Sequence, residues 1–135
     1  MRFMVMVMAT TESESAPPPS PEAFVAMQEY NEKAVKDGVL LAAEGLTPSS
    51  KGVRVKMSGK KRTVIDGPFA ESKEVVAGFS IIKVNSLEEA IEWVKGAPNV
   101  SPTGEVVVEI RKLMDVEDFG DDFTPNEEIA KVKFE

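Results

Sequence analysis

A chain of 135 residues is one domain's worth, and folding at this size buries roughly two thirds of the unfolded surface, enough for a self-sufficient core. With 42% hydrophobic and 29% charged residues it is neither a disordered chain nor a membrane-spanning one, and a net charge of −7 argues against a nucleic-acid partner. The lack of any Cys or His excludes disulfides, thiolate metal sites, a Ser-His-Asp triad, an H-E-x-x-H zinc site and a haem proximal His.

The charge is unevenly placed. Residues 115–135 hold eight acids against Lys131 and Lys133, which leaves residues 1–114 at −1. The reading is therefore a domain over 1–114 and an acidic C-terminal tail over 115–135. Between Lys51 and Arg62 the chain carries Lys51, Arg54, Lys56, Lys60, Lys61 and Arg62 with no acid. A solvated hairpin face accounts for that run, and nucleic-acid binding ranks last among its uses.

In chain order, Arg2–Ala9 reads as a strand apolar on both faces, Phe3, Val5 and Val7 on one and Met4, Met6 and Met8 on the other, so it must be covered twice. The apolar run is too short for a signal peptide's core and far short of the ~18 residues of a membrane span, so a cytoplasmic protein is expected. After a loop containing Pro17-Pro18-Pro19, Ser20-Pro21-Glu22 has the residues of a helix start. That helix should end at Gly38, with Phe24, Met27, Asn31, Ala34 and Val35 inward and Glu29/Lys33 and Glu32/Lys36 pairs outward. Val39–Leu46 is a second strand. Val53–Met57 and Arg62–Asp66 form a hairpin about Ser58-Gly59-Lys60, and Val75–Val84 is a long two-faced strand. Ser86 with Glu89 makes a capping box for a helix with Leu87, Ala90, Ile91 and Val94 inward, ended by Gly96 and Pro98. Glu105–Leu113 is the last strand.

The order β-α-β, hairpin, β-α-β predicts an α+β fold, a ferredoxin-like βαβ plait with an extra hairpin and both helices on one sheet face. Strands apolar on the other face as well need a second cover, and another copy of the sheet supplies it, giving a homodimer.

The least generic segment is Asp66-Gly67-Pro68-Phe69-Ala70-Glu71-Ser72-Lys73-Glu74, leading to Gly78. Gly67-Pro68 makes a tight strand exit, Phe69 an anchor, and Asp66 should close an Asx-type turn on its own backbone. This run resembles the DGPF motif of the YCII-related (DGPF domain) family. The apolar first strand, Gly38-Val39-Leu40 to Glu44-Gly45-Leu46, Ser86-Leu87 with Trp93, Val108-Glu109-Ile110-Arg111 and the Asp118-Phe119-Gly120 to Phe123-Thr124-Pro125 tail extend the resemblance over most of the chain. It implies a dimeric α+β barrel of ferredoxin-like subunits and a link, in some members, to extracytoplasmic-function sigma factors. It also implies that Asp66 corresponds to the Asp of a His-Asp pair in the YCII-like branch, here without its His.

Polar residues on otherwise apolar strands complete the candidate set. Glu44 shares a face with Leu40, Ala42 and Leu46, while Glu109 and Arg111 share one with Val107 and Leu113. Charges there are costly to bury unless paired, so one reading is a salt-bridge network of Glu44, Arg54, Glu109 and Arg111. The functional reading is a pocket for a small anionic or polar ligand, bound by Glu44, Arg54, Asp66, Glu71, Lys73, Glu109 and Arg111. No cofactor and no metal are expected, with a carboxylate-only Mg²⁺ or Mn²⁺ site as the remaining option. The sequence favours a non-catalytic small-molecule-binding or regulatory accessory module. The alternative is a cofactor-independent lyase, isomerase or hydrolase using Asp66 or a raised-pKa Glu44 as base.

Overall fold

In a computed structural model of the chain, residues 1–11, 14, 20–70, 74–101 and 103–119 are described. Strands β1 (Arg2–Met8), β2 (Leu40–Gly45), β5 (Val76–Lys83) and β6 (Val108–Lys112) form one sheet in the order β2-β5-β1-β6, and every neighbouring pair is antiparallel. Helices α1 (Pro21–Lys36) and α2 (Leu87–Lys95) are the two crossovers, and β3 (Val53–Ser58) with β4 (Lys61–Asp66) is a separate hairpin. This is an α+β fold of ferredoxin-like order with a hairpin inserted between β2 and β5.

Local chemistry sets the element ends. The Ser20 hydroxyl accepts from the Ala23 N–H at 3.2 Å, and Pro21 occupies the first helical position. Gly38, at φ 74°, takes the left-handed conformation that lets the chain turn out of α1. At α2 the Ser86 hydroxyl accepts from the Glu89 N–H at 3.2 Å, and the Glu89 carboxylate accepts from the Asn85 N–H at 2.9 Å. The capping box thus closes one residue earlier than its usual reciprocal bond.

The core lies between the sheet and the helices. Phe3 and Val5 of β1, Leu40 of β2 and Ile82 of β5 pack with Ala34 of α1 and Ala90 of α2. Ile82 is fully buried, and Phe3 and Val5 are only 2% and 4% exposed. The helices are joined by Tyr30, whose hydroxyl donates to the Trp93 carbonyl and whose ring centroid lies 5.3 Å from that of Trp93. Burial pushes the Tyr30 hydroxyl above its ordinary pKa, opposed by the nearby Lys33 charge.

Several sequence expectations need correction. Phe24 and Val35 are 57% and 58% exposed, and Leu87 is exposed as well. Ala34 and Ala90, also expected inward, are the helix residues buried in the core, with Trp93 and Val94 packed against it. Phe24 and Val35 line a shallow groove on α1 with Met27 and Asn31. Lys33 pairs with Asp37 at 2.6 Å, so its salt bridge runs toward the helix end and not back to Glu29. Strand β6 begins at Val108, later than Glu105, after a turn in which Ser101 Oγ donates to the Glu105 carbonyl.

Candidate functional site

Cross-strand register fixes what the sheet shows on its other face. Met6 of β1 pairs with Phe79 of β5 and Glu109 of β6, and Phe79 pairs with Glu44 of β2. One row therefore reads Glu44–Phe79–Met6–Glu109. The adjacent row reads Ala42–Ile81–Met4–Arg111. Directly paired residues share a face, and these alternate with Phe3, Val5 and Ile82, so both rows lie opposite the helices. Met4, Met6, Phe79 and Ile81 are half-buried, while Glu44, Glu109 and Arg111 are exposed at the two margins.

Glu44 reaches this face through an irregularity. Simple alternation puts Leu40 and Glu44 on one face, but β2 shifts register between Leu40 and Ala42. Leu40 faces the core opposite Ile82, and Ala42 and Glu44 turn to the open side. A bulge re-aims side chains in this way.

The expected four-residue salt-bridge network does not form. The guanidinium of Arg111 stands 4.0 Å from Glu109, an exposed pair of modest worth. Glu44 lies three strands away, roughly 14 Å at about 4.8 Å per strand. Arg54 belongs to the hairpin and stacks its guanidinium carbon 3.8 Å from the centroid of the Phe69 ring.

The DGPF loop is built differently from its sequence reading. Among the described residues no N–H donates to the exposed Asp66 carboxylate, so the Asx turn is absent. The Gly67 N–H is taken by the Gly52 carbonyl at 3.0 Å. Gly67 is required by close approach: a Cβ there would sit 1.8 Å from the Ser49 carbonyl oxygen. Ser49, 5% exposed, is the hub of the loop. Its N–H donates to a Glu14 carboxylate oxygen at 2.9 Å, its hydroxyl donates to the other oxygen, and it accepts from the Phe69 N–H at 3.2 Å. Phe69 is half-buried beneath Arg54 rather than inserted in the core. Glu71 and Lys73 lie outside the described residues.

Sequence reasoning missed Ser49 and Glu14. Neither carries a motif, and the contact spans 35 positions of chain. The paired rows Met6–Phe79 and Met4–Ile81 were foreshadowed by the two-faced strands. Among the described residues no three carboxylates converge as a metal site would require, and no helix is long and apolar enough to cross a membrane.

The acidic end begins against the sheet. Lys112 pairs with Asp118 at 2.8 Å and Asp115 at 3.5 Å, and Arg2 lies 3.9 Å from Asp115. The Lys112 ammonium holds the Asp118 carboxyl below its ordinary pKa, helped by the Asp115 N–H, and Asp118 in turn raises Lys112. These acids meet the end of β1 and β6, not the basic hairpin. Residues 120–135, with Phe123 and Phe134, lie outside the described residues.

A family model for the YCII-related domain matches residues 1–117. The chain belongs to the YCII-related family. An uncharacterized protein of Rhizobium meliloti (strain 1021) is 35% identical over 71 residues, which are 53% of this chain and 57% of that protein. The match thus spans little more than half of that relative's length. Among solved structures, 5-chloro-2-hydroxyhydroquinone dehydrochlorinase (TftG) from Burkholderia phenoliruptrix AC1100, in complex with 2,5-dihydroxybenzoquinone, superposes with a TM-score of 0.50. At 13% identity over 87% of this chain and 97% of that one, the likeness is one of fold.

Proposed function

We propose that this YCII-related chain is a homodimeric small-molecule-binding module, non-catalytic or accessory to regulation, whose two open sheet faces stack to enclose a ligand chamber. The supporting observation is the pair of rows Glu44–Phe79–Met6–Glu109 and Ala42–Ile81–Met4–Arg111. An apolar centre with charged margins suits a small, mostly flat ligand bearing polar groups at its rim. Met4 and Met6 adapt to an aromatic shape, and Phe79 offers a ring to stack on. Glu44, Glu109 and Arg111 orient hydroxyl or anionic substituents, and covering the face strengthens those contacts by excluding water. A lasting apolar interface of this kind buries about 2,000 Å² or more. The proposed domain spans residues 1–114, and Asp115 and Asp118 of the acidic segment pair back onto its sheet.

A second reading, a cofactor-independent enzyme of lyase, isomerase or hydrolase type, draws support from the likeness of fold to a dehydrochlorinase. Glu44, opposite Phe79 on the open face, is then the base. Asp66 sits on the separate hairpin sheet and is the weaker choice.

Titration with 2,5-dihydroxybenzoquinone and other polyhydroxylated aromatics, followed by thermal shift and calorimetry, tests the proposal. Saturable binding that weakens in Glu44→Gln and Arg111→Ala supports the binding module. Turnover of a chlorinated hydroxyquinol, measured as chloride release and lost in Glu44→Gln, moves the assignment to the enzyme. The absence of any saturable ligand in a polar-aromatic panel rejects both.

A further inference from the structure

The base of the hairpin holds an arrangement that the open sheet face does not use. Pairing across β3 and β4 places Arg54, Lys56, Ile65, Thr63 and Lys61 on one face, and Val53, Val55, Val64 and Asp66 on the other. Asp66 is therefore turned away from Arg54, and among the described residues the Arg54 guanidinium has no hydrogen-bond or ion-pair partner. In a chain with 23 acids, an unpaired arginine is an observation to explain.

Arg54 is nevertheless not loose. Its guanidinium lies 3.8 Å from the Phe69 ring centroid, and Phe69 is held in turn. The Phe69 N–H donates to Ser49 Oγ, both Glu14 oxygens fix Ser49, and Gly67 packs its backbone against Ser49 with no space for a side chain. Stacking on a ring occupies one plane of the guanidinium and leaves its edge of N–H donors pointing outward. A surface arginine ordinarily loses much rotamer freedom when it binds, and here the Phe69 contact supplies part of that ordering beforehand.

We propose that Arg54, carried on the Phe69 platform, is an oxyanion-binding site that takes a phosphoryl or carboxylate group of a small molecule by a two-oxygen fork. Lys56, two residues along the strand on the same face, adds field but no second fork. The site stands on the hairpin, so it depends neither on the dimer nor on the ligand proposed for the sheet face.

The test is a ¹⁵N NMR titration of the full-length protein with inorganic phosphate and, separately, malonate, with chloride at matched ionic strength as control. Saturable shifts at the Arg54 side-chain N–H and the Phe69 amide are expected with at least one oxyanion and not with chloride. Whichever responds names the group. Arg54→Lys, which keeps the charge and loses the fork, should weaken binding about tenfold, the scale of one charge-assisted hydrogen bond. Ser49→Ala should weaken it less, by freeing the platform, while Lys56→Ala changes little beyond the salt dependence. Non-saturating shifts spread over all the hairpin lysines, or an Arg54→Lys variant that binds as well as wild type, would overturn the proposal. Binding of 2,5-dihydroxybenzoquinone in Arg54→Lys stays a separate readout, which keeps failure here distinct from failure of the sheet-face ligand.

Discussion

The two faces of the four-stranded sheet are built from the same strands and end differently. On the helix side, Phe3, Val5, Leu40 and Ile82 are sealed against Ala34 and Ala90. On the other, Met4, Met6, Phe79 and Ile81 remain half-open between Glu44 and the Glu109–Arg111 pair. Side-chain type follows the difference. The sealed face holds only branched and aromatic residues that fit one packing, and the open face sets two methionines that fit many beside Phe79 and Ile81. Stability is concentrated on the first face and adaptability on the second.

Substitution should separate the two most sharply at matched positions. Ile82→Ala removes a fully buried side chain and should cost about 3 kcal/mol, read from urea unfolding. Met6→Ala, on the open face, should cost the single chain about 1 kcal/mol and act mainly on association and ligand binding. Comparable losses at both would erase the distinction between the faces.

The hairpin base offers a second contrast, between residues of one motif. Gly67→Ala drives a Cβ into the Ser49 backbone and should cost about 2–3 kcal/mol, since backbone must move. Ser49→Ala strands the Phe69 N–H and one Glu14 carboxylate oxygen, while the backbone N–H keeps its bond to the other, at about 1–3 kcal/mol. Asp66→Ala, only one residue from Gly67, should stay within about 0.5 kcal/mol because the carboxylate is exposed and makes no turn. Thermal melts of the three variants rank them.

The smallest effect is electrostatic. Asp118 is depressed by Lys112, so its contribution is whole above the ordinary carboxylate pKa and fades as pH falls through the lower folded value. Lys112 is raised by the same pair, and its share is complete below the ordinary lysine value and lost as pH climbs through the folded one. NMR titration of the Asp118 carboxyl should show the depression, and Lys112→Met should abolish it with little change in melting temperature, as both groups are exposed.

Much of this architecture was legible before any coordinates. Two-faced strands, a Ser-Pro helix start, Gly38, the Ser86–Glu89 cap and the hairpin turn each carry local chemistry that survives without tertiary context. What failed was parity and distance. A register shift after Leu40 separates it from Glu44, and no periodicity announces a bulge. Phe24 and Val35 look like core by spacing, yet the helix seats its alanine side, which packing decides and hydrophobicity does not. The Glu14–Ser49–Phe69 chain joins three segments far apart in sequence, and small polar residues give no sign of burial. The candidate residues were chosen one by one from the sequence, and the division of the described ones between the sheet face and the hairpin comes from pairing.

Light scattering of wild type and Met6→Glu at micromolar concentration tests most directly whether the open face is a covered, ligand-enclosing surface. The account predicts wild type at twice the chain's 14.7 kDa and Met6→Glu at the single-chain mass with an unchanged circular dichroism spectrum. Wild type at the single-chain mass, or a Met6→Glu variant that still pairs, would contradict it.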